Sequence, residues 1–317
     1  MVKSRTVTLV YTPFSGLGLY NGFRGNAWLK NRIKIFKQFV IPSWKAQTSQ
    51  DFVHWISWRP EEKTNPYVKE LGEWLQKESI RYAFTFHGIC FYDDKYDDAV
   101  AKQRLTSNLH YTIGDLYNII GEAETVIMMI APSDDLYEKN VVETIQWMFK
   151  TEEWQAIGFT KGYICNYKTK EVAEYNPLTN PPFYSIKFSR DVFTNPLKHI
   201  AYTSLKKDVG KYKVGTPLPS HEYVGDCLRY YQIDERGFMV GVHGENISTN
   251  WLIPYKGEEV KEFFNRMNIL LSFGITNMED NELEQSGFKA PLRKRLLFSL
   301  PYKWQRKIRY LVTEKFK

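Results

Sequence analysis

The sequence predicts an α/β protein with a mostly parallel central sheet flanked by helices, and three observations predict it. Through the first half, short β-branched or apolar runs alternate with stretches of helical periodicity. The run TVIMMIA, residues 125–131, is apolar without alternation, which is the pattern of a strand covered on both faces. Residues 102–121 carry Leu105, Leu109, Ile113, Leu116 and Ile120 on one helical stripe.

Taken in order, TVTLVYT (6–12) is the first strand, followed by the turn-rich PFSGLGLYNGFRGN. Its glycines lack the G-x-G-x-x-G spacing with a helix start behind it, so they form a loop over the ligand rather than a phosphate cradle. A helix is expected over about 28–47, kinked or restarted at Pro42, which has no N–H to donate. FVHWISW (52–58) is the second strand, 66–78 a short helix through Val68, Leu71 and Leu75, and RYAFTF (81–86) the third strand. The 102–121 helix and the 125–131 strand come next, then a helix over 139–150 through Val142, Ile145 and Phe149. This order is that of a nucleotide-binding α/β half. After residue 155 short strands, aromatics and prolines continue the same sheet, and a helix over 256–273 is expected to align Val260, Phe263, Met267 and Leu270. The expected division is a main domain over 1–255, with halves 1–150 and 151–255, and a helical extension over 256–317.

Composition bounds the function. With 317 residues, 43% of them hydrophobic and 16% aromatic, the chain can bury a large core, which excludes global disorder. No run of 18 apolar residues occurs and the N-terminal apolar stretch is too short for a secretory signal, so a cytoplasmic location is expected. Cys90, Cys165 and Cys227 are too dispersed for a disulfide framework or a zinc site and read as buried thiols. The net charge of +7 is local: residues 289–317 hold ten Lys or Arg against Glu314, and 33 of the 43 basic and 35 of the 36 acidic residues precede them.

The sharpest chemical signal is IMMIAPSDDLYEKN, where a buried strand delivers Asp134 and Asp135 into a loop. Ligands of open α/β sheets bind beyond the carboxyl ends of the strands, and paired carboxylates completed by substrate phosphates hold Mg²⁺ or Mn²⁺. The alternative is that Ser133 or Asp134 caps a helix beginning near Leu136. Asp191 in FSRDVF is a further candidate, binding an acceptor or capping a helix at the surface. Trp58 either stacks on a base or packs in the core.

The segment RIKIFKQFVIPSWKAQTSQDFVHWISW, together with RLTSNLHY, the SDD loop and VHGENIST, resembles the GT-A glycosyltransferases. More narrowly, it is similar to a bacterial rhamnosyl transferase family over about residues 5–252. The resemblance implies a GT-A, or nucleotide-diphospho-sugar transferase, fold with a C-terminal helical extension. It also implies metal-dependent, inverting transfer of a sugar, rhamnose in the narrower family, to a glycan or lipid-linked acceptor. In that pattern Asp135 is the metal ligand, Asp134 faces the ribose or the metal, and His243 adds a third ligand for Mn²⁺ or Mg²⁺. The pattern's earlier acid is missing, because Pro132 and Ser133 stand there. Glu222 falls where the base that accepts the acceptor proton is found, with His221 as the alternative, although a cap at Ser220 would make Glu222 an ordinary first-turn acid. Tyr11 and Thr12 fall beside the nucleobase, and Arg32 and Arg104 match arginines that recur in the pattern, each either pairing with the diphosphate or standing as a solvated helix charge.

A competing expectation is a degenerate domain of the same fold that binds nucleotide or carbohydrate without turnover, prompted by the missing acid. In the tail, Leu292, Leu296, Leu297, Leu300, Trp304, Ile308, Leu311 and Val312 recur at helical spacing among basic residues. That pattern fits an anionic membrane surface, placing the protein on the inner face of the membrane, or a helix pair packed on a protein. Nucleic acid is not expected as a partner, since the main body is not basic.

Overall fold

A computed structural model describes residues 5–15, 25–88, 98–204, 218–219, 221–246, 249, 251, 253 and 256–277. Strand β1 (Thr6–Pro13) pairs in parallel with β2 (Val53–Ser57) and β4 (Thr125–Ile130), and β2 pairs in parallel with β3 (Tyr82–Thr85). Beyond β4 the direction reverses: β8 (Tyr184–Ser189) lies antiparallel between β4 and β6 (Ala156–Asn166). Strand β7 (Val172–Tyr175) pairs antiparallel with β6 and with β10 (Lys256–Glu259), giving the order β10-β7-β6-β8-β4-β1-β2-β3. Strand β9 (Tyr230–Val242) runs along β6 in parallel and receives the short β5 (Leu136–Tyr137). A parallel half thus leads through an acidic loop into a half of reversed direction, within the α/β class expected from the sequence.

Helices cover both faces, as the unalternating β4 requires. On one face lie α1 (Asn26–Ile35), α2 (Ile41–Lys45), α3 (Pro66–Lys77) and α5 (Val141–Thr151), packed on Val10, Ile56, Ile127 and Met129. On the other lie α4 (Asp98–Ile120), α6 (Arg190–Thr194), α7 (Pro196–Thr203) and α8 (Val224–Cys227), packed on Leu9, Tyr11, Trp55 and Met128. The α4 stripe is buried at all five expected positions. A π turn over Phe36–Val40 follows α1, and α2 restarts at Ile41 with Pro42 in its first turn, where its missing N–H costs nothing, as expected.

Three expectations are corrected. The segment after the acid pair is β5, not a helix, and α5 begins only at Val141, so neither Ser133 nor Asp134 is a helix cap. The expected 256–273 helix is β10 followed by α9 (Phe263–Ser272), which Glu262 caps by accepting from the Phe264 and Asn265 N–H groups. Because β10 is a sheet edge, and Leu270, Phe273 and Ile275 enter the core, the boundary expected at 255 falls inside the main body. Cys165 and Cys227 are buried free thiols, whereas Cys90 and the basic segment beyond 277 lie outside the described residues. Among the described residues no helix is long and apolar enough to cross a membrane.

Candidate functional site

The loop between β4 and β5 is closed by its own sequence. Tyr137, buried among Trp44, Phe159 and Phe183, donates its hydroxyl to the Ile130 carbonyl at 2.7 Å, so residues 131–135 turn tightly at the carboxyl end of β4. Ser43 of α2 accepts from Tyr137 N and donates to its carbonyl. Gln47, buried, donates to the Glu138 carbonyl at 2.8 Å and accepts from Val142 N at 3.1 Å. Gln47, which lies in the segment that carries the sequence resemblance, therefore anchors the far side of the acidic loop.

The near side is fixed by α1 and by the chain leaving β9. Arg32 ion-pairs with Asp134 Oδ2, which also accepts from His243 Nε2 at 3.1 Å and Asn246 Nδ2 at 3.3 Å. Neighbouring Asn31 donates to Glu245 at 2.6 Å, and His243 N donates to Asn246 Oδ1 at 2.9 Å. Asp135 Oδ1 accepts from Gly241 N at 3.0 Å, while Tyr167, stacked on Phe39, donates to the Asp134 carbonyl. Asn31, Glu245, Asn246, Gly241 and Tyr167 were not singled out from the sequence. VHGENIST contains Glu245 and Asn246, but nothing in its spacing says which side chain turns inward.

The two carboxyls differ electrically. Burial pushes the Asp134 pKa up, but the Arg32 charge and the His243 hydrogen bond outweigh it and hold the group below the usual carboxylate range. Burial and the adjacent Asp134 charge push Asp135 well above that range, against the Gly241 N–H and Arg32. Burial lowers the His243 pKa despite its bond to Asp134, which favours the neutral ring with Nε2 facing the carboxylate. The two carboxyls are thus pushed in opposite directions, Asp134 toward the ionised and Asp135 toward the protonated form, with 17% of the Asp134 side chain reaching solvent.

The other expected site residues divide. Thr12 sits at the carboxyl end of β1 with Oγ1 buried, and no partner for it is found among the described residues; the same holds for Ser57 Oγ, Asn31 Oδ1 and His243 Nδ1. Tyr11 points into the opposite face, its ring 4.2 Å from that of Trp55, so it is a core residue. Trp58 is buried and stacked on Phe14 at 4.5 Å, so packing is its role, not base stacking. Arg104 is exposed on α4, across the sheet from Arg32. Asp191 is exposed, paired with Lys198 at 2.7 Å, and Ser189 is the residue that caps α6. Ser189 lies opposite Thr125, the first residue of β4, so Asp191 stands at the wrong end of the sheet for the Asp134 loop. A cleft of about 580 Å³ lined by Asp191, Thr106, His110 and Tyr111 accompanies it there, between α4 and α7.

His221 and Glu222 are at the right end. Strand β8 begins beside the end of β4, Ser185 opposite Met129, and Tyr184 donates to the Pro219 carbonyl at 2.7 Å. The His221–Tyr223 turn is tied to the adjacent Asn180 carbonyl through His221 Nδ1, leaving Glu222 exposed.

The geometry does not fit a divalent ion shared by Asp134, Asp135 and His243. His243 presents Nε2 to the carboxylate, Asp134 Oδ2 is taken by three donors, and no group of three metal-ligating side chains forms among the described residues.

No protein-family model and no curated protein sequence matches the chain. Among solved structures it is similar to residues 1–349 of Staphylococcus aureus TarS, at a TM-score of 0.38 and 9% identity, covering 75% of this chain and 60% of that one. The same fragment in complex with UDP-GlcNAc aligns at a TM-score of 0.40 and 12% identity, covering 84% and 66%. The chain thus spans less than two thirds of these fragments, and a likeness of this size decides nothing about activity.

Proposed function

We propose that the chain is a glycosyltransferase that moves a sugar from a nucleotide-diphosphate donor to a hydroxyl of a glycan or lipid-linked acceptor, with rhamnose as the sugar suggested by the sequence resemblance. The observation that carries this is the ionised Asp134 beside Arg32, held in a braced loop where the parallel strands end, the position at which open α/β sheets bind ligands. The Thr12, Ser57, Asn31 and His243 atoms that lack a partner among the described residues add hydrogen-bonding capacity around the same edge.

Inverting transfer needs one displacement. The acceptor oxygen attacks the anomeric carbon, its proton passes to Glu222, and the carbon–oxygen bond to the diphosphate breaks with the electron pair leaving on phosphate. Glu222 is exposed, with no ion pair among the described residues, and stands with His221 at the same sheet end, on the side that the sequence resemblance gives to the acceptor. Acting on a lipid-linked acceptor would place the basic tail, which lies outside the described residues, against an anionic membrane surface.

Incubation with a panel of uridine, guanosine and deoxythymidine diphosphate sugars, read by nucleotide release and product mass, tests this. Glu222→Gln is expected to lower turnover by about 10² to 10³-fold with donor affinity unchanged, the loss expected for a general base. Donor binding with neither transfer nor hydrolysis across the panel would instead support the degenerate binding domain, which the threefold internal engagement of Asp134 favours.

A further inference from the structure

The Asp134 carboxylate has its cation already. A carboxylate oxygen offers about two lone pairs, and Oδ2 receives Arg32, His243 and Asn246, so nothing on that atom is left for a metal. One oxygen of Asp135 is committed to Gly241 N–H. The His243 side chain is sealed from solvent and its Nε2 is turned onto the acid. Arg32 is also fixed on its other side: its guanidinium lies 5.3 Å over the Trp28 ring, and Asn31 pins the same helix turn to Glu245. A guanidinium cannot lose its proton, and it has five N–H donors in a planar fork suited to phosphate oxygens.

From this we infer that Arg32 takes the place of a divalent ion, so that the diphosphate of the donor binds at this site without Mn²⁺ or Mg²⁺. The inference rests on the nucleotide-sugar reading above and adds that its positive charge is built into α1. It also explains how the chain dispenses with the acid that Pro132 and Ser133 replace. With a resident monovalent cation, a further carboxylate would leave buried negative charge unpaired.

Two measurements on the full chain test it. The first is calorimetric titration with UDP, GDP and dTDP in EDTA and again in Mn²⁺. The affinity of whichever nucleotide binds is expected to agree within about threefold between the two conditions; a gain of tenfold or more with Mn²⁺ overturns the inference. The second is electron paramagnetic resonance of Mn²⁺ with the nucleotide-free protein. Wild type is expected to leave Mn²⁺ free, while Arg32→Met gains a bound population that Arg32→Met/Asp134→Asn loses again. Mn²⁺ held by wild type and released by Asp134→Asn overturns it. If Arg32→Met does not fold, the wild-type arms decide by themselves. Should Mn²⁺ stay free and no nucleotide bind in either buffer, the donor reading fails with this inference; binding that requires Mn²⁺ sinks only the inference.

Discussion

At the scale of single residues, the molecule places two titratable groups where their charge state carries stability. Arg32 is buried and Asp134 half-buried, at 4% and 17% side-chain exposure, and removing one member of such a pair leaves the other charge unpaired. Arg32→Met is expected to cost about 3 kcal/mol in urea unfolding, with Asp134→Asn added on top restoring part of the loss. A double mutant no better than the single would show that the pair is not the source. His54 is buried between the edges of Trp44 and Phe52, at 5.5 and 5.2 Å, and burial lowers its pKa from 6.5 to about 3. The unfolded chain therefore takes up the proton first. Its contribution is whole above pH 6.5 and drains away as pH falls toward 3, by about 1.4 kcal/mol per unit. Urea midpoints for wild type and His54→Phe should diverge below pH 6.5, and parallel curves would contradict the assignment.

At the scale of elements, the site depends on how closely the start of the acidic loop and the end of β9 approach. A Cβ on Gly241 would overlap the Asp134 carbonyl and the Tyr167 ring, and the same residue supplies the N–H that holds Asp135. Gly241→Ala must push the loop away from β9, so nucleotide binding is expected to fall by at least tenfold while the far-ultraviolet circular dichroism stays native. Unchanged binding would show that the loop is not held by this contact. Trp58 illustrates the converse. The sequence leaves it open between stacking on a base and packing in the core, and its position just beyond β2 turns it inward onto Phe14. Trp58→Phe is expected to lower stability by about 1–2 kcal/mol and leave nucleotide affinity alone, and a selective loss of affinity would reverse that conclusion.

At the scale of the whole molecule, β10 and α9 close the sheet, and Phe273 and Ile275 are the last core residues described. A chain ending at residue 277 is expected to melt within about 3 °C of the full protein and to lose binding to phosphatidylserine vesicles. Vesicle binding that survives the cut would place membrane contact elsewhere.

What the sequence determined by itself was the order of elements and the faces they bury. Periodicity is a local property, so β1 to β4, the α4 stripe and the position of the acid pair at a strand end were all legible. It could not determine what the acids meet. Arg32 and Asp134 are brought together only when α1 lies along the end of β4, and Asn246 arrives only when β9 returns beside β5. The same distance effect explains the errors. Asp191 follows a strand, as a site acid would, but β8 runs backwards and carries it to the opposite end of the sheet. Lys256–Glu259 gave no apolar alternation because β10 is an exposed edge strand held by its pairing to β7, and pairing leaves no mark in a single segment. Tertiary structure alone decided the electrostatics of the site, because the charge on a carboxyl is set by its burial and its neighbours, not by its place in the chain.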